Sequence, residues 1–468
     1  MPSRQDQLHS YQFSVQRVVS ALVMRETDPA QFPFRRVTVA GFASLMVGII
    51  LIAGFGVYAL FTGGTSDGWK RQTGAVLLEK GNGAHYVYKD GVLHPVRNLA
   101  SGLLYAGGSQ RTIVSVSTRS LSTVPRGPMV GIADAPDSVP TPDKLVKGAW
   151  TACSVPIADT GGDEGGHRTL LAIGDLLGVA ASGTALTDET GVAVRTPTGP
   201  DAYLLWHQRK FLMSNVDAAM LKALGFNPDP QQLPVVDLAF LNAFEAGDPI
   251  RPPSIQNVGQ KSDVDNYRNG DLLFNKSPSG DQYFVISGNK VEQITQVQAG
   301  LLSPQSAIPP VTTVPGGTPG NRLMPQGPGA MPSAPLKAVD IGDAGLCATA
   351  TDDRGFTNIR YGVPVPDVSG LVRTAGRTDR GTALADYVAV QPGLGVLVEG
   401  YTVANTSSGV VSLVTDVGQQ FPIADDAARA ALGFGGVTAA RMPVKLVSLL
   451  PQGSELSQTA AASTITLD

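Results

Sequence analysis

The sequence predicts an α+β protein: a single transmembrane helix, then an outer region with a central β-rich core and four small ββα repeat lobes in a pseudo-two-fold arrangement. Three observations predict it. The 25 residues from Val37 to Phe61 carry no charge. Glycine (54) and proline (34) make nearly a fifth of the 468 residues, while the apolar share is an ordinary 43%. That balance favours many short elements joined by turns over a long helical bundle or a disordered chain. Finally, the region from about 68 to 456 matches itself in order. Charged residues are only 16% and the net charge is −4, which leaves no basic domain to release counterions from a nucleic acid.

Residues 1–36 form an arm. Leu8, Tyr11, Val15, Val18 and Leu22 recur at spacings of three and four, one apolar face of a helix. Ser3 suits its N-cap, and Pro29 and Pro33 suit its end. A lone helix this short is marginal in water, so the stripe is expected to dock on a partner; lying on the membrane surface is the alternative. Residues 37–61 are the anchor. As a helix they span about 37 Å, enough for a bilayer core of ~30 Å with some tilt. A signal peptide would have a shorter apolar core placed nearer the N-terminus. Arg35 and Arg36 abut the N-terminal end, with Arg25, Arg17 and Arg4 behind them, whereas the other side opens with Thr-Gly-Gly-Thr-Ser. The positive-inside rule therefore puts the N-terminus in the cytoplasm and the bulk outside.

The outer region reads as two homologous halves. Tyr86 with Gly91, Gly102-Leu103-Leu104, Cys153, Ala223-Leu224-Gly225-Phe226 and Pro234 recur as Tyr283 with Gly288, Gly300-Leu301-Leu302, Cys347, Ala431-Leu432-Gly433-Phe434 and Pro443, at offsets of 194 to 209. A finer repeat is a β-hairpin followed by a capped helix, with Asn98, Asn215, Thr295 and Asp425 as the expected caps. This places lobes at 62–125, 181–255, 256–310 and 381–468, the last with a C-terminal tail. Core segments at 126–180 and 311–380 hold the cysteines. The proline- and glycine-rich tract from Ser303 to Pro335 is expected to be a long surface loop. Gly162 to Arg168 reads as a flexible loop.

Cys153 and Cys347 are the only cysteines. Outside the cytoplasm, oxidising conditions favour a bridge, and equivalent residues of two related halves can meet at a two-fold axis. Two free buried thiols are the alternative; neither cysteine sits in a Cys-x-x-Cys motif. Other chemistry is sparse. There is no Walker motif; Val258-Gly-Gln-Lys-Ser262 is a weak phosphate-binding fragment lacking the Gly-Lys pair. The histidines, including His94 and His207, lack metal-ligand spacing. The pairs Asp134/Asp137, Asp352/Asp353 and Asp425/Asp426 suit turns and caps better than acid–base work. The sequence thus offers no catalytic residue and no metal site.

The arm, through Gln7, Tyr11, Phe13, Arg17, Ala21 and Leu22, resembles that of EccB, a membrane component of the actinobacterial type VII (ESX) secretion system. The Pro125-Arg-Gly-Pro-Met-Val-Gly-Ile-Ala-Asp-Ala-Pro-Asp137 block, Trp150-x-x-Cys153 and the two Ala-Leu-Gly-Phe motifs resemble that family too. The resemblance covers essentially the whole chain. It implies an elongated periplasmic region whose lobes are similar to a phage-lysin cell-wall-binding module, and a core disulfide matching Cys153 and Cys347. It implies residence in the inner membrane, self-association, assembly with EccC-, EccD- and EccE-like subunits, and a docked mycosin-like protease. The function expected is that of a structural subunit of the secretion complex. A membrane-anchored ATPase and a peptidoglycan-binding module are the alternatives. Some family members carry an ATPase label, but no motif here receives it, so ATP enters by that label alone.

Overall fold

The computed structural model describes residues 3–24, 35–62, 67–157, 166–264, 266–277, 280–302, 314, 318–321, 323–402 and 409–465. The chain divides into two units, Met1–Arg71 with Ser117–Thr123, and Gln72–Val116 with Val124–Asp468.

The first unit begins with a helix, Arg4–Met24. Ser3 opens it through a reciprocal cap: its hydroxyl donates to the Asp6 carboxylate at 2.8 Å, and the Asp6 N–H donates back to Ser3 Oγ at 3.3 Å. The expected stops at Pro29 and Pro33 fall outside the described residues. A second helix, Arg35–Thr62, contains the apolar span Val37–Tyr58 of 22 residues. That span is about 33 Å long, matched to a bilayer core of ~30 Å. Trp69 is buried in the same unit and donates its indole N–H to Ser120 Oγ at 3.0 Å.

Among the described residues the second unit holds five sheets. The largest has seven strands in the order Val372–Arg373, Tyr387–Ala389, His167–Ile173, Trp150–Pro156, Gly345–Asp352, Gly355–Val363 and Thr184–Ala185. Most come from the two cysteine segments. Thr184–Ala185 and Tyr387–Ala389 lie beyond them, and His167–Ile173 turns part of the expected Gly162–Arg168 loop into strand. The four smaller sheets are built on the hairpins His85–Lys89/Val92–Pro95, Ala202–Trp206/Arg209–Met213, Gly280–Ser287/Lys290–Ile294 and Val410–Val414/Gln420–Pro422. The Ser303–Pro335 tract is not loop throughout. Thr318–Gly320 pairs in parallel with Lys290–Glu292 as the last strand of its sheet, and Pro319 is tolerated there because an edge strand has a side that needs no donor.

Turn chemistry explains the hairpins. Asp90 and Gly91 both take left-handed backbone (φ 52 and 81), the requirement of a two-residue turn whose twist matches the strands. His207 and Gln208 adopt the same region (φ 46 and 57) without a glycine, which costs roughly 1–2 kcal/mol per residue. The His207 ring stacks on Trp206 at 3.6 Å and its Nε2 lies 3.1 Å from Asp188 Oδ1; these contacts offset the strain.

A short helix follows each hairpin: Leu99–Ala106, Ala218–Leu224, Gln296–Leu302 and Asp426–Ala431. Asn98 caps the first by accepting from Ser101 N at 2.9 Å, and Asp425 caps the last by accepting from Ala428 N at 2.7 Å. Thr295 and Gln298 form a reciprocal box at 3.1 and 3.0 Å. The second cap is Asp217, which accepts from Met220 N at 2.8 Å, and not the expected Asn215. Asn215 instead turns the chain at φ 49, ahead of the cap. Asp217→Ala is expected to cost about 0.5–2 kcal/mol, whereas Asn215→Gly should leave the thermal midpoint within a degree or so. Equal losses in a melting experiment would return the cap to Asn215.

The repeated Ala-Leu-Gly-Phe motif has a specific cause. At both sites glycine ends a helix in left-handed backbone, Gly225 at φ 91 and Gly433 at φ 94. Phe226 N donates to Leu221 O and Gly225 N to Lys222 O; Phe434 N donates to Arg429 O and Gly433 N to Ala430 O. This is the same two-bond C-terminal cap twice over, and each time it turns a phenylalanine into a buried site. One face of the central sheet packs Trp150, Leu171 and Ala348 against Phe240 and Phe244, whose rings meet edge-on at 5.1 Å. The other face packs Cys153, Leu170, Cys347 and Val363.

Candidate functional site

Three places follow from the sequence reading: the arm stripe, the anchor and the cysteine seam. Leu8, Tyr11, Val15, Val18 and Leu22 all lie on the helix Arg4–Met24 and are all exposed, Tyr11 at 70% and Leu22 at 78%. At 3.6 residues per turn their spacing keeps them on one face. Phe13 and Arg17, one turn apart, form a cation–π pair at 5.8 Å. The arm thus presents an ordered apolar stripe, which water alone does not stabilise.

At the middle of the seven-stranded sheet, Trp150–Pro156 and Gly345–Asp352 run antiparallel with Cys153 directly opposite Cys347. They form a disulfide between residues 194 apart in sequence, and both are fully buried. Beside them the hydroxyls of Thr151 and Thr349 lie 3.1 Å apart. Non-reducing mass spectrometry of a tryptic digest should return the two cysteine peptides linked; separate peptides would contradict the bridge.

Sequence reasoning missed a polar cluster at one end of this sheet. Thr169 donates its N–H to Asp386 Oδ2 at 2.8 Å and its hydroxyl to Asp237 Oδ2 at 2.6 Å. Nearby, Ser154 Oγ lies 3.2 Å from His167 Nδ1. Burial raises the Asp386 pKa and the Asp237 charge adds to it, while the Thr169 N–H bond, and behind it Arg168 and Arg373, oppose the rise. Burial lowers the His167 pKa, against the pull of Asp343. Ser154 has no solvent access, so this serine–histidine pair is structural. No sequence signal joins these residues, because Asp237 and Asp386 lie 68 and 217 positions from Thr169.

A cleft of about 670 Å³ opens between Pro142–Ala149 and Val437–Met442. Its cations are Lys147 and Arg441. Arg441 is already engaged, 2.6 Å from Asp353 and stacked over Tyr401 at 4.1 Å. None of the lining residues is a carboxylate that could seat the divalent cation nucleotide chemistry needs. The Val258–Ser262 fragment does not supply a phosphate loop either. Ser262 Oγ turns inward, its one hydrogen shared between Val264 O at 2.9 Å and Tyr267 O at 3.0 Å. The aspartate pairs do local work: Asp134 accepts from Ser454 N at 2.8 Å, Asp425 caps a helix and Asp352 binds Arg354. His94 Nδ1 contacts Pro128 O at 3.2 Å.

Known proteins resemble this chain from end to end. "ESX-5 secretion system ATPase EccB5" of Mycobacterium tuberculosis (strain ATCC 25618 / H37Rv) is 26% identical over 496 residues, covering 98% of this chain and 93% of the relative. "ESX-2 secretion system ATPase EccB2" of the same strain is 29% identical over 409 residues, covering 83% and 81%. Among solved structures, a chain of the intact ESX-5 inner membrane complex superposes with a TM-score of 0.66 at 24% identity, covering 100% of this chain and 96% of that one. A chain of the EccB3 dimer from the ESX-3 core complex gives 0.60 at 23%, covering 83% and 100%. These two likenesses establish the fold. A family model matches residues 1–466, the arm, anchor and stapled outer body together. The chain therefore belongs to the EccB family, described as Type VII secretion system ESX-1, transport TM domain B.

Proposed function

We propose that the chain is a structural membrane subunit of a type VII secretion complex, holding the outer side of the assembly to the membrane and multimerising there. The observation that carries this reading is the match of the family model to the arm, anchor and outer body as one piece. It agrees with a membrane-length apolar helix behind a basic cytoplasmic flank. The relatives' structures come from an inner membrane complex, its periplasmic assembly and a dimer. This chain accordingly sits in the inner membrane with its bulk periplasmic and associates with further copies of itself. EccC-, EccD- and EccE-like subunits are the partners of the arm stripe, and a mycosin-like protease and peptidoglycan those of the outer region. The ATPase label of the relatives is not carried over, since no Walker motif in this sequence receives it.

We also read the four smaller sheets as repeats related in pairs by a pseudo-two-fold. Each has a hairpin, a capped helix, and a segment running parallel to the second hairpin strand. Those parallel pairs are Leu93 with Arg126, Arg209 with Glu245, Lys290 with Thr318 and Gln420 with Gln452. Cys153 opposite Cys347 suits an axis through the central sheet. The composition and stoichiometry of the detergent-extracted complex test the proposal. Recovery of the chain as a monomer without other membrane subunits, under extraction that preserves known assemblies, would overturn it.

A further inference from the structure

We propose that Asp237 and Asp386, drawn together by Thr169, form a proton-responsive clamp that tightens one end of the central sheet against the helix Leu238–Asn242 as the surrounding pH falls. Thr169 is fully buried and each of its polar hydrogens is given to a different carboxylate. Its hydroxyl also accepts from Phe240 N at 3.0 Å. Asp237 opens the helix by accepting from Ala239 N at 3.1 Å. Asp386 precedes the strand Tyr387–Ala389, which runs parallel to His167–Ile173, and its carbonyl accepts from Thr374 N at 2.9 Å. Three segments therefore meet on one threonine, and two of them bring a negative charge.

The charged groups facing Asp386 are Asp237, Arg168 and Arg373. Two carboxylates at one partly desolvated site repel, and a single proton relieves the repulsion. The Thr169 N–H bond favours charged Asp386, but burial and the Asp237 charge outweigh it. The sign follows from the direction of the shift. A carboxyl whose pKa is raised by folding contributes stability that is fully present below its unfolded value and lost as pH rises through the folded value. His167 acts oppositely. Its pKa is lowered, so its contribution is present above the ordinary value of ~6.5 and lost as pH falls.

Hydrogen exchange on the full-length chain in detergent, followed by mass spectrometry, separates the two. A His167→Gln background removes the opposing histidine. Between pH 7.5 and about 4, close to the unfolded carboxyl value, and after correction for intrinsic exchange, peptides over 167–171, 237–242 and 374–389 should gain several-fold protection. The ceiling is about tenfold for each pKa unit by which folding displaces the carboxyl. Asp386→Asn should show high protection at both pH values. Asp237→Asn, which keeps a capping side chain, should shrink the response, with burial of Asp386 supplying the remainder, and carries the test alone should Asp386→Asn not fold. Protection that stays constant or falls on acidification, or a response that survives both substitutions, would overturn the clamp.

Discussion

Removal of the Cys153–Cys347 bridge, by replacing both cysteines with alanine, is expected to lower the stability of the outer unit by about 2–5 kcal/mol. Chain entropy alone gives roughly 5 kcal/mol for a closed loop of 194 residues, as an upper value. The bridge lies between the two central strands of the largest sheet, with no solvent access. Mild reductant should therefore leave the folded wild type unchanged and act only once the sheet opens. Trp150, buried at the end of one bridged strand, gives an intrinsic fluorescence readout of denaturant unfolding. A double variant with the wild-type midpoint would show that the strands are held by packing and hydrogen bonds alone.

The second large effect is expected at the arm. Tyr11→Asp with Val15→Asp puts two charges into the middle of the apolar stripe. An interface anchor of this kind is worth about 2 kcal/mol or more on truncation, and a buried unpaired charge adds to the loss. Co-purification of the other membrane subunits should fall by tens-fold or more, with the melting of the outer unit unchanged. Both positions are exposed on their own helix, so the helix itself tolerates the change. Retained assembly would remove the stripe from the docking surface. A drop in membrane association without loss of partners would point to the membrane surface instead.

What the sequence made legible was local. The anchor follows from an uncharged run, and three helix caps follow from Asn98, Thr295 and Asp425 ahead of short apolar stretches. The hairpins announce themselves through alternation and Gly91 or Gly288. Strands of two residues, such as Glu245–Ala246 and Lys337–Ala338, are too short to show any period, and they exist only because a neighbouring edge supplies hydrogen bonds. Asp217 and Asn215 are equally good caps by type; the backbone at Asn215 decided between them. The Thr169 cluster was invisible because its members come from three distant segments. The cysteine pairing could be anticipated because the chain has only two cysteines and the segments around them match in order, a long-range signal that ordinary sequence reading lacks.

The position of the bridge also sets a clock. The strand carrying Cys153 leaves the ribosome long before the strand that will lie beside it. At ~5–20 residues per second, the 194 intervening residues take about 10–40 s to make. Throughout that interval the middle of the largest sheet has one open edge and one unpartnered thiol. The first half therefore cannot complete this sheet on its own, and the bridge that joins the two segments waits for Cys347 to be made.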